Sequence, residues 1–98
     1  MPFAYVQEFE PGDRDTTNYD AIAEKLNAQG DIPDGAIFHT AGFTEDGRFR
    51  IFDVWESREQ LQRFLQERLM PVVQEVTAGQ DLPQPHEETY ELHDFIKA

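Results

Sequence analysis

Four short stretches of the chain are rich in aromatic, β-branched and other apolar residues, and the first of them alternates these with small or polar ones, which is the period of two residues typical of β-strands. These stretches cover residues 3–9, 36–43, 48–56 and 89–96. Turn-forming segments such as Pro11-Gly12 and Pro33-Asp34-Gly35 lie between them. The pattern therefore predicts four strands.

Two further stretches place apolar residues three or four positions apart, which is the spacing of an amphipathic helix. The first contains Tyr19, Ile22, Ala23 and Leu26, and the second contains Leu61, Phe64, Leu65 and Leu69. Ser57 and Gln60 form a capping box that predicts the start of the second helix. Pro71 predicts a kink there or the start of a new short helix, because proline lacks the backbone N–H that a helix needs.

The predicted order is β-α-β-β-α-β, which indicates an α+β, ferredoxin-like fold. We expect a single domain over residues 1–98, since a chain of this length usually folds around one core. Right-handed crossovers place the first and third strands in the centre of an antiparallel sheet, with both helices on one face. The other face is left uncovered, and an exposed apolar sheet face usually marks an interaction surface.

The turn Glu45-Asp46-Gly47 fixes the expected pairing of the central hairpin. A three-residue loop with Gly47 in a left-handed conformation pairs His39 with Asp53, and Ile37 with Trp55. A two-residue Asp46-Gly47 turn is the alternative, but it would shift the register by one and put His39 and Asp53 on opposite faces. We favour the three-residue loop because it keeps the apolar sets unmixed.

In that register, one alternate set of side chains carries Phe38, Phe52 and Val54, and we expect it to pack under the helices. The other set, expected on the uncovered face, carries His39, Asp53, Trp55, Ile37 and Ile51.

Cross-strand neighbours are close enough for an imidazole to donate a hydrogen bond to a carboxylate. We therefore predict a catalytic dyad in which Asp53 raises the basicity of His39, so that His39 accepts a proton from a ligand hydroxyl. An apolar floor for a flat small molecule would consist of Trp55, Tyr5, Ile37, Ile51 and Phe49. Two alternatives stay open: the dyad could be a hydrogen-bonded pair inside an interface, and Trp55 could serve packing alone. The facing of Tyr5 is also open.

Composition narrows the function classes. With 20 Asp and Glu against 8 Lys and Arg, the net charge is -12, which argues against nucleic acid and anionic membranes as partners. No cysteine is present, so thiolate catalysis and Cys-ligated metals are excluded. No apolar run approaches the ~20 residues of a membrane span, and we expect a cytoplasmic protein.

Cofactor motifs are also missing from the sequence. It contains neither a Gly-x-Gly-x-x-Gly pattern nor a phosphate-binding loop, so we expect no cofactor. A metal site built from His39, Asp53 and His93 is a weaker alternative, because no spacing brings the three together. We therefore expect no metal site.

The segments His39-Thr40-Ala41-Gly42, Glu45-Asp46-Gly47 and residues 51–57, taken with the element order, resemble the dimeric α+β-barrel superfamily that includes the antibiotic biosynthesis monooxygenase-like domains. The resemblance spans nearly the whole chain. It implies a homodimer formed by packing the uncovered sheet faces together into a barrel. Activities in the superfamily range from cofactor-independent oxygenation of aromatic polyketides through haem degradation to none known.

Haem degradation is disfavoured, because haem-degrading relatives use an asparagine and the first strand here contains none, its nearest amide being Gln7. The leading hypothesis is a homodimer whose sheet faces enclose a largely apolar cavity with His39 and Asp53 as its polar pair. It would act as a cofactor-independent monooxygenase on an aromatic or polyketide-like molecule. The alternative is a non-catalytic ligand-binding or structural dimer module.

Overall fold

The structure is a computed structural model that describes residues 2–12, 15–26, 30–80, 82 and 84–96. The elements follow the predicted order β-α-β-β-α-β, with the second helical segment divided into two α-helices by a π-helical turn at Leu65–Leu69. In chain order, the elements are β1 (Phe3–Glu8), α1 (Thr17–Leu26), β2 (Ala36–Phe43), β3 (Phe49–Trp55), α2 (Arg58–Phe64), α3 (Met70–Val76) and β4 (His86–Glu91).

The strands form one antiparallel sheet in the order β2-β3-β1-β4. The first and third strands therefore lie in the centre, and the predicted α+β ferredoxin-like fold is confirmed. No helix in the described part of the chain is both long and apolar enough to cross a membrane.

The hairpin between β2 and β3 has the predicted three-residue loop. Gly47 has a φ of 87°, and its N–H donates to the carbonyl oxygen of Thr44 at 3.0 Å. His39 pairs with Asp53, as expected. The predicted pairing of Ile37 with Trp55 is wrong: Ala36 faces Trp55 instead, because a bulge between Ala36 and Phe38 inserts one residue into β2.

The start of α2 confirms the capping box only in part. The backbone N–H of Gln60 donates to the Ser57 hydroxyl at 3.2 Å, but the Gln60 side chain accepts from that same hydroxyl at 3.0 Å. Pro71 lies in the first turn of α3, directly after the π-helical turn, so a new helix begins there as predicted.

The last strand lies earlier in the chain than predicted. It begins at His86 and ends at Glu91, whereas the sequence pattern indicates residues 89–96. The reason is its partner: Glu91 pairs with Phe3 at the start of β1, and beyond it the Leu92 N–H reaches only the carbonyl oxygen of Pro2, at 2.8 Å.

The predicted assignment of the two sheet faces is reversed. Trp55 and Tyr5 form the main core cluster with Leu61 of α2, and the Trp55 ring contacts Phe64 of the same helix with centroids 5.2 Å apart. Tyr19 of α1 lies against the same side of the sheet. The face with His39, Asp53 and Trp55 is therefore the helix-covered face.

The opposite face carries the set that was expected under the helices, namely Phe38, Phe52 and Val54; we call it the open face. Phe38 and Phe52 pack edge to face on it, and Phe38 is 45% exposed. Val54, on a central strand, is buried. Both alternate sets are apolar, so strand periodicity groups the residues correctly without showing which group meets the helices.

Candidate functional site

Four side chains form one row across the helix-covered face of the sheet. His39 pairs with Asp53, Asp53 pairs with Tyr5, and Tyr5 pairs with Thr89. Because paired residues on neighbouring strands point to the same face, this register places the predicted dyad beside Tyr5. The open question about the facing of Tyr5 is thereby answered.

His39 and Asp53 are joined by a short hydrogen bond, with 2.5 Å between Nδ1 and Oδ1. The carboxylate can only accept, so the Nδ1–H of His39 donates and the neutral ring leaves Nε2 as an acceptor. Asp53 is buried, whereas the His39 side chain is half-exposed. The hydrogen bond to Asp53 raises the pKa of His39, and partial burial of the ring opposes that rise.

Tyr19 completes the arrangement and was not among the residues predicted for the site. Its hydroxyl lies 2.6 Å from Nε2 of His39, and the two rings are parallel with centroids 6.2 Å apart. Burial, followed by the charges of Asp53 and Asp20, raises the pKa of Tyr19. The sequence marks Tyr19 only as one apolar position on α1, and its contact depends on how α1 crosses the sheet.

Two of the residues predicted for the apolar floor, Phe49 and Ile51, lie on the same face of the sheet as the dyad. The Tyr19 ring meets Phe49 edge-on with centroids 5.2 Å apart, and Ile51 lies two residues from Asp53 on the same face. Ile37 does not join them in the predicted way, since it is the extra residue in the β2 bulge.

The buried indole of Trp55 carries a donor without an acceptor. Trp55 is 3% exposed, and its Nε1 has no hydrogen-bond partner among the described residues. Leaving a buried N–H unpaired costs about 1–3 kcal/mol. A ligand oxygen would satisfy this donor.

Tyr5 is also buried, and it places a second phenol beside the dyad. Burial, followed by the charge of Glu87 and a hydrogen bond with it, raises the pKa of Tyr5. Tyr5 therefore stays neutral and contributes packing and a polar edge rather than negative charge.

A depression lies elsewhere, on the open face. Its volume is about 400 Å³, and its lining consists of Thr40, Ala41, Gly42, Phe43, Thr44, Arg50 and Phe52. The prediction that His39 and Asp53 line a cavity between two sheet faces is therefore wrong, because both residues point toward the helices. We place the candidate site on the helix-covered side, because the polar groups of His39, Asp53 and Tyr19 meet there.

Metal ligation receives no support from the described residues. Within them, no group of three His, Asp or Glu side chains could hold a metal ion. His93 lies beyond the end of β4 and is exposed, away from the row that contains His39 and Asp53.

Comparison with known proteins identifies the fold. The chain is similar to the structure of Rv0793 from Mycobacterium tuberculosis, with a TM-score of 0.71 and 15% identity over 99% of this chain and 100% of that one. It is also similar to a candidate antibiotic biosynthesis monooxygenase from Caulobacter crescentus CB15, with a TM-score of 0.70 and 11% identity over 95% and 91% of the two chains.

A third similar structure is SnoaB from Streptomyces nogalater, a cofactor-independent oxygenase. Its TM-score is 0.68 with 15% identity, covering 99% of this chain and 98% of SnoaB. No family model matches the chain, and no curated protein matches it. The expected resemblance to antibiotic biosynthesis monooxygenase-like structures is thus confirmed for the fold.

Proposed function

We propose that this protein is a cofactor-independent oxygenase that acts on an aromatic or polyketide-like small molecule, with His39 and Asp53 as its base. The observation that carries the proposal is the 2.5 Å bond between Asp53 and His39 Nδ1. It fixes the tautomer, so the opposite nitrogen is the one that accepts a proton. The similarity to SnoaB supports the same class of reaction.

The surroundings of the dyad suit an enolisable or phenolic aromatic substrate. Phe49 and Tyr19 offer ring faces and edges to a flat molecule, and the indole of Trp55 lies on the same side of the sheet, buried against α2. The unpaired Nε1–H of Trp55 would donate to a substrate carbonyl oxygen and stabilise the negative charge that develops there after deprotonation. His39 is half-exposed, so a ligand can reach the dyad from its rim.

The reaction needs dioxygen as its only co-substrate. The base removes a proton from a ring CH₂ group, and the resulting carbanion forms a C–O bond with dioxygen to give a peroxide anion. That anion takes a proton back from His39. Loss of water from the hydroperoxide then leaves a ketone, so CH₂ and O₂ become C=O and H₂O.

We further propose that the protein works as a homodimer in the cytoplasm, with the open face as the interface. Phe38 is half-exposed there, and the adjoining depression is lined by Thr40, Gly42 and Phe52. Packing two such faces together would bury this apolar surface. The dyad would stay within each subunit, on the helix-covered side.

Anthrone, a tricyclic aromatic ketone with an acidic CH₂ group, is a suitable probe. The wild-type protein should convert it to anthraquinone faster than buffer does, with one dioxygen consumed per quinone formed. Replacing His39 by Gln should lower the rate by about 100-fold, the usual contribution of a positioned base.

The matched control is His93→Gln, which makes the same substitution at an exposed histidine outside the row. It should retain the wild-type rate. Anthrone oxidation no faster than in buffer would overturn the proposed oxygenase activity, and full activity of the His39→Gln variant would remove the dyad from the mechanism. Binding of anthraquinone without turnover would favour a non-catalytic ligand-binding module.

A further inference from the structure

Both ring nitrogens of His39 are already engaged. Nδ1 donates to Asp53, and Nε2 lies 2.6 Å from the Tyr19 hydroxyl. A neutral imidazole offers a single acceptor lone pair, and in this tautomer it is the one on Nε2. A substrate hydroxyl or CH₂ group can therefore reach Nε2 directly only by displacing Tyr19.

Tyr19 itself has room for a further partner. When its O–H donates to Nε2, the phenolic oxygen keeps its acceptor lone pairs. We propose that Asp53, His39 and Tyr19 form a three-member proton relay, and that the Tyr19 oxygen is the atom that receives the substrate proton. This inference rests on the proposed function and deepens it, because it makes Tyr19 a catalytic residue.

The fold holds Tyr19 in place from two sides. Its ring packs edge-on against Phe49 of β3, with centroids 5.2 Å apart. The helix that carries it is tied to the end of α3 and the residues that follow: Asn18 Nδ2 donates to Gln80 Oε1 at 3.0 Å, and Lys25 Nζ lies 2.9 Å from Glu75 Oε1. The hydroxyl is thus positioned by packing rather than by its contact with His39 alone.

The proton balance of the relay is simple. The substrate gives its proton to the Tyr19 oxygen while the Tyr19 O–H proton moves to Nε2 of His39. Tyr19 ends neutral, the substrate is an anion, and the imidazolium is held by the Asp53 carboxylate. Burial raises the pKa of Tyr19 and so disfavours a free phenolate, which is consistent with a residue that passes a proton without keeping the charge.

The test measures proton transfer without dioxygen. Anthrone is incubated with the protein in oxygen-free heavy water, and mass spectrometry follows exchange of its CH₂ protons for deuterium. Tyr19→Phe removes only the hydroxyl and should lower the enzyme-dependent exchange rate by about 100-fold. The matched control is Tyr90→Phe on β4, which removes a hydroxyl from the opposite face and should leave the rate unchanged.

The two mechanisms predict opposite results for Tyr19→Phe. If the substrate meets His39 directly, removing the competing hydroxyl frees Nε2, and the exchange rate stays the same or rises; that result would overturn the relay. A relay also requires that the double variant, with both Tyr19→Phe and His39→Gln, exchanges deuterium no more slowly than His39→Gln alone. Additive losses would contradict it.

The relay and the oxygenase proposal fail in different ways. Catalysed exchange without oxidation in air would support the relay and overturn the oxygenase proposal. Oxidation in air that is unaffected by Tyr19→Phe would support the oxygenase proposal and overturn the relay. Absence of catalysed exchange in the wild type would overturn the relay. In the Tyr19→Phe variant, the proton on His39 Nδ1 should keep its downfield NMR signal, whereas a merely structural role for Tyr19 predicts that this signal is lost.

Discussion

Replacing Asp53 by Asn tests the bond on which the site depends, because the variant keeps the shape of the side chain and removes its charge. Hydrogen bonds to charged groups contribute roughly 1.5–3 kcal/mol, about twice the value of neutral ones. Asp53 is buried but its partner His39 is half-exposed, so solvent screens the pair and the lower end applies. We expect Asp53→Asn to lower the free energy of unfolding by about 1.5 kcal/mol near neutral pH.

The loss should depend on pH in a defined direction. Because Asp53 raises the pKa of His39 above its ordinary value of 6.5, its stabilising effect on the protonated ring is fully present below that value. This stabilisation disappears as the pH rises through the pKa that His39 has in the folded protein. The destabilisation by Asp53→Asn should therefore be larger at about pH 5.5 than at about pH 9.

Urea unfolding followed by tryptophan fluorescence measures this loss directly, since Trp55 is the only tryptophan and is buried in the core. Protein concentration must be held constant, because a dimer's stability varies with it. In a His39→Gln background, the pH dependence of the Asp53→Asn effect should vanish, although His86 and His93 are still present. If Asp53→Asn lowers the free energy of unfolding equally at both pH values in the wild-type background, Asp53 does not stabilise the protonated ring of His39.

Three further substitutions test the fold, the interface and the indole, and a fourth, Gly79→Ala, is the control for the first. Gly35→Ala should cost about 2–4 kcal/mol, because φ is 87° and a Cβ would lie 2.5 Å from the Gln60 side chain at the start of α2. The control is Gly79→Ala, where φ is 78° but open space surrounds the added Cβ, so the free energy of unfolding should fall by only about 1–2 kcal/mol. If urea titrations give equal losses for the two variants, the clash with Gln60 does not contribute. Phe38→Asp should yield monomers in analytical ultracentrifugation, and a persistent dimer would exclude the open face as the interface. Trp55→Phe should weaken anthraquinone binding about tenfold in equilibrium dialysis, as loss of one hydrogen bond implies, and unchanged binding would show that the indole N–H makes no contact.

The part of the fold that the sequence predicts best is the central hairpin. Gly47 accepts the positive φ that the last position of the Glu45-Asp46-Gly47 loop requires, and this loop keeps the apolar sets unmixed where the two-residue alternative would mix them. This type of turn brings His39 opposite Asp53, so the dyad is predicted from a turn several residues away. The bulge that displaces Ile37 has no comparable signal, since no glycine or proline marks it.

Two features of the site depend on packing between distant elements. The face that meets the helices is decided by how α1 and α2 cross the sheet, and both alternate sets of strand residues are apolar enough to be covered. The contact of Tyr19 with His39 joins residues 20 positions apart on a helix and an edge strand. In the sequence, Tyr19 is one member of an apolar stripe, and its hydroxyl meets His39 only when α1 is packed on the sheet.

The position of bound anthraquinone, determined from intermolecular NOEs, shows whether the ligand binds beside His39 and Asp53. We expect NOEs from the ligand to the rings of Tyr19, Phe49 and His39, between the helices and the sheet. NOEs confined to Thr40 and Phe52, which line the depression on the open face, would contradict this expectation.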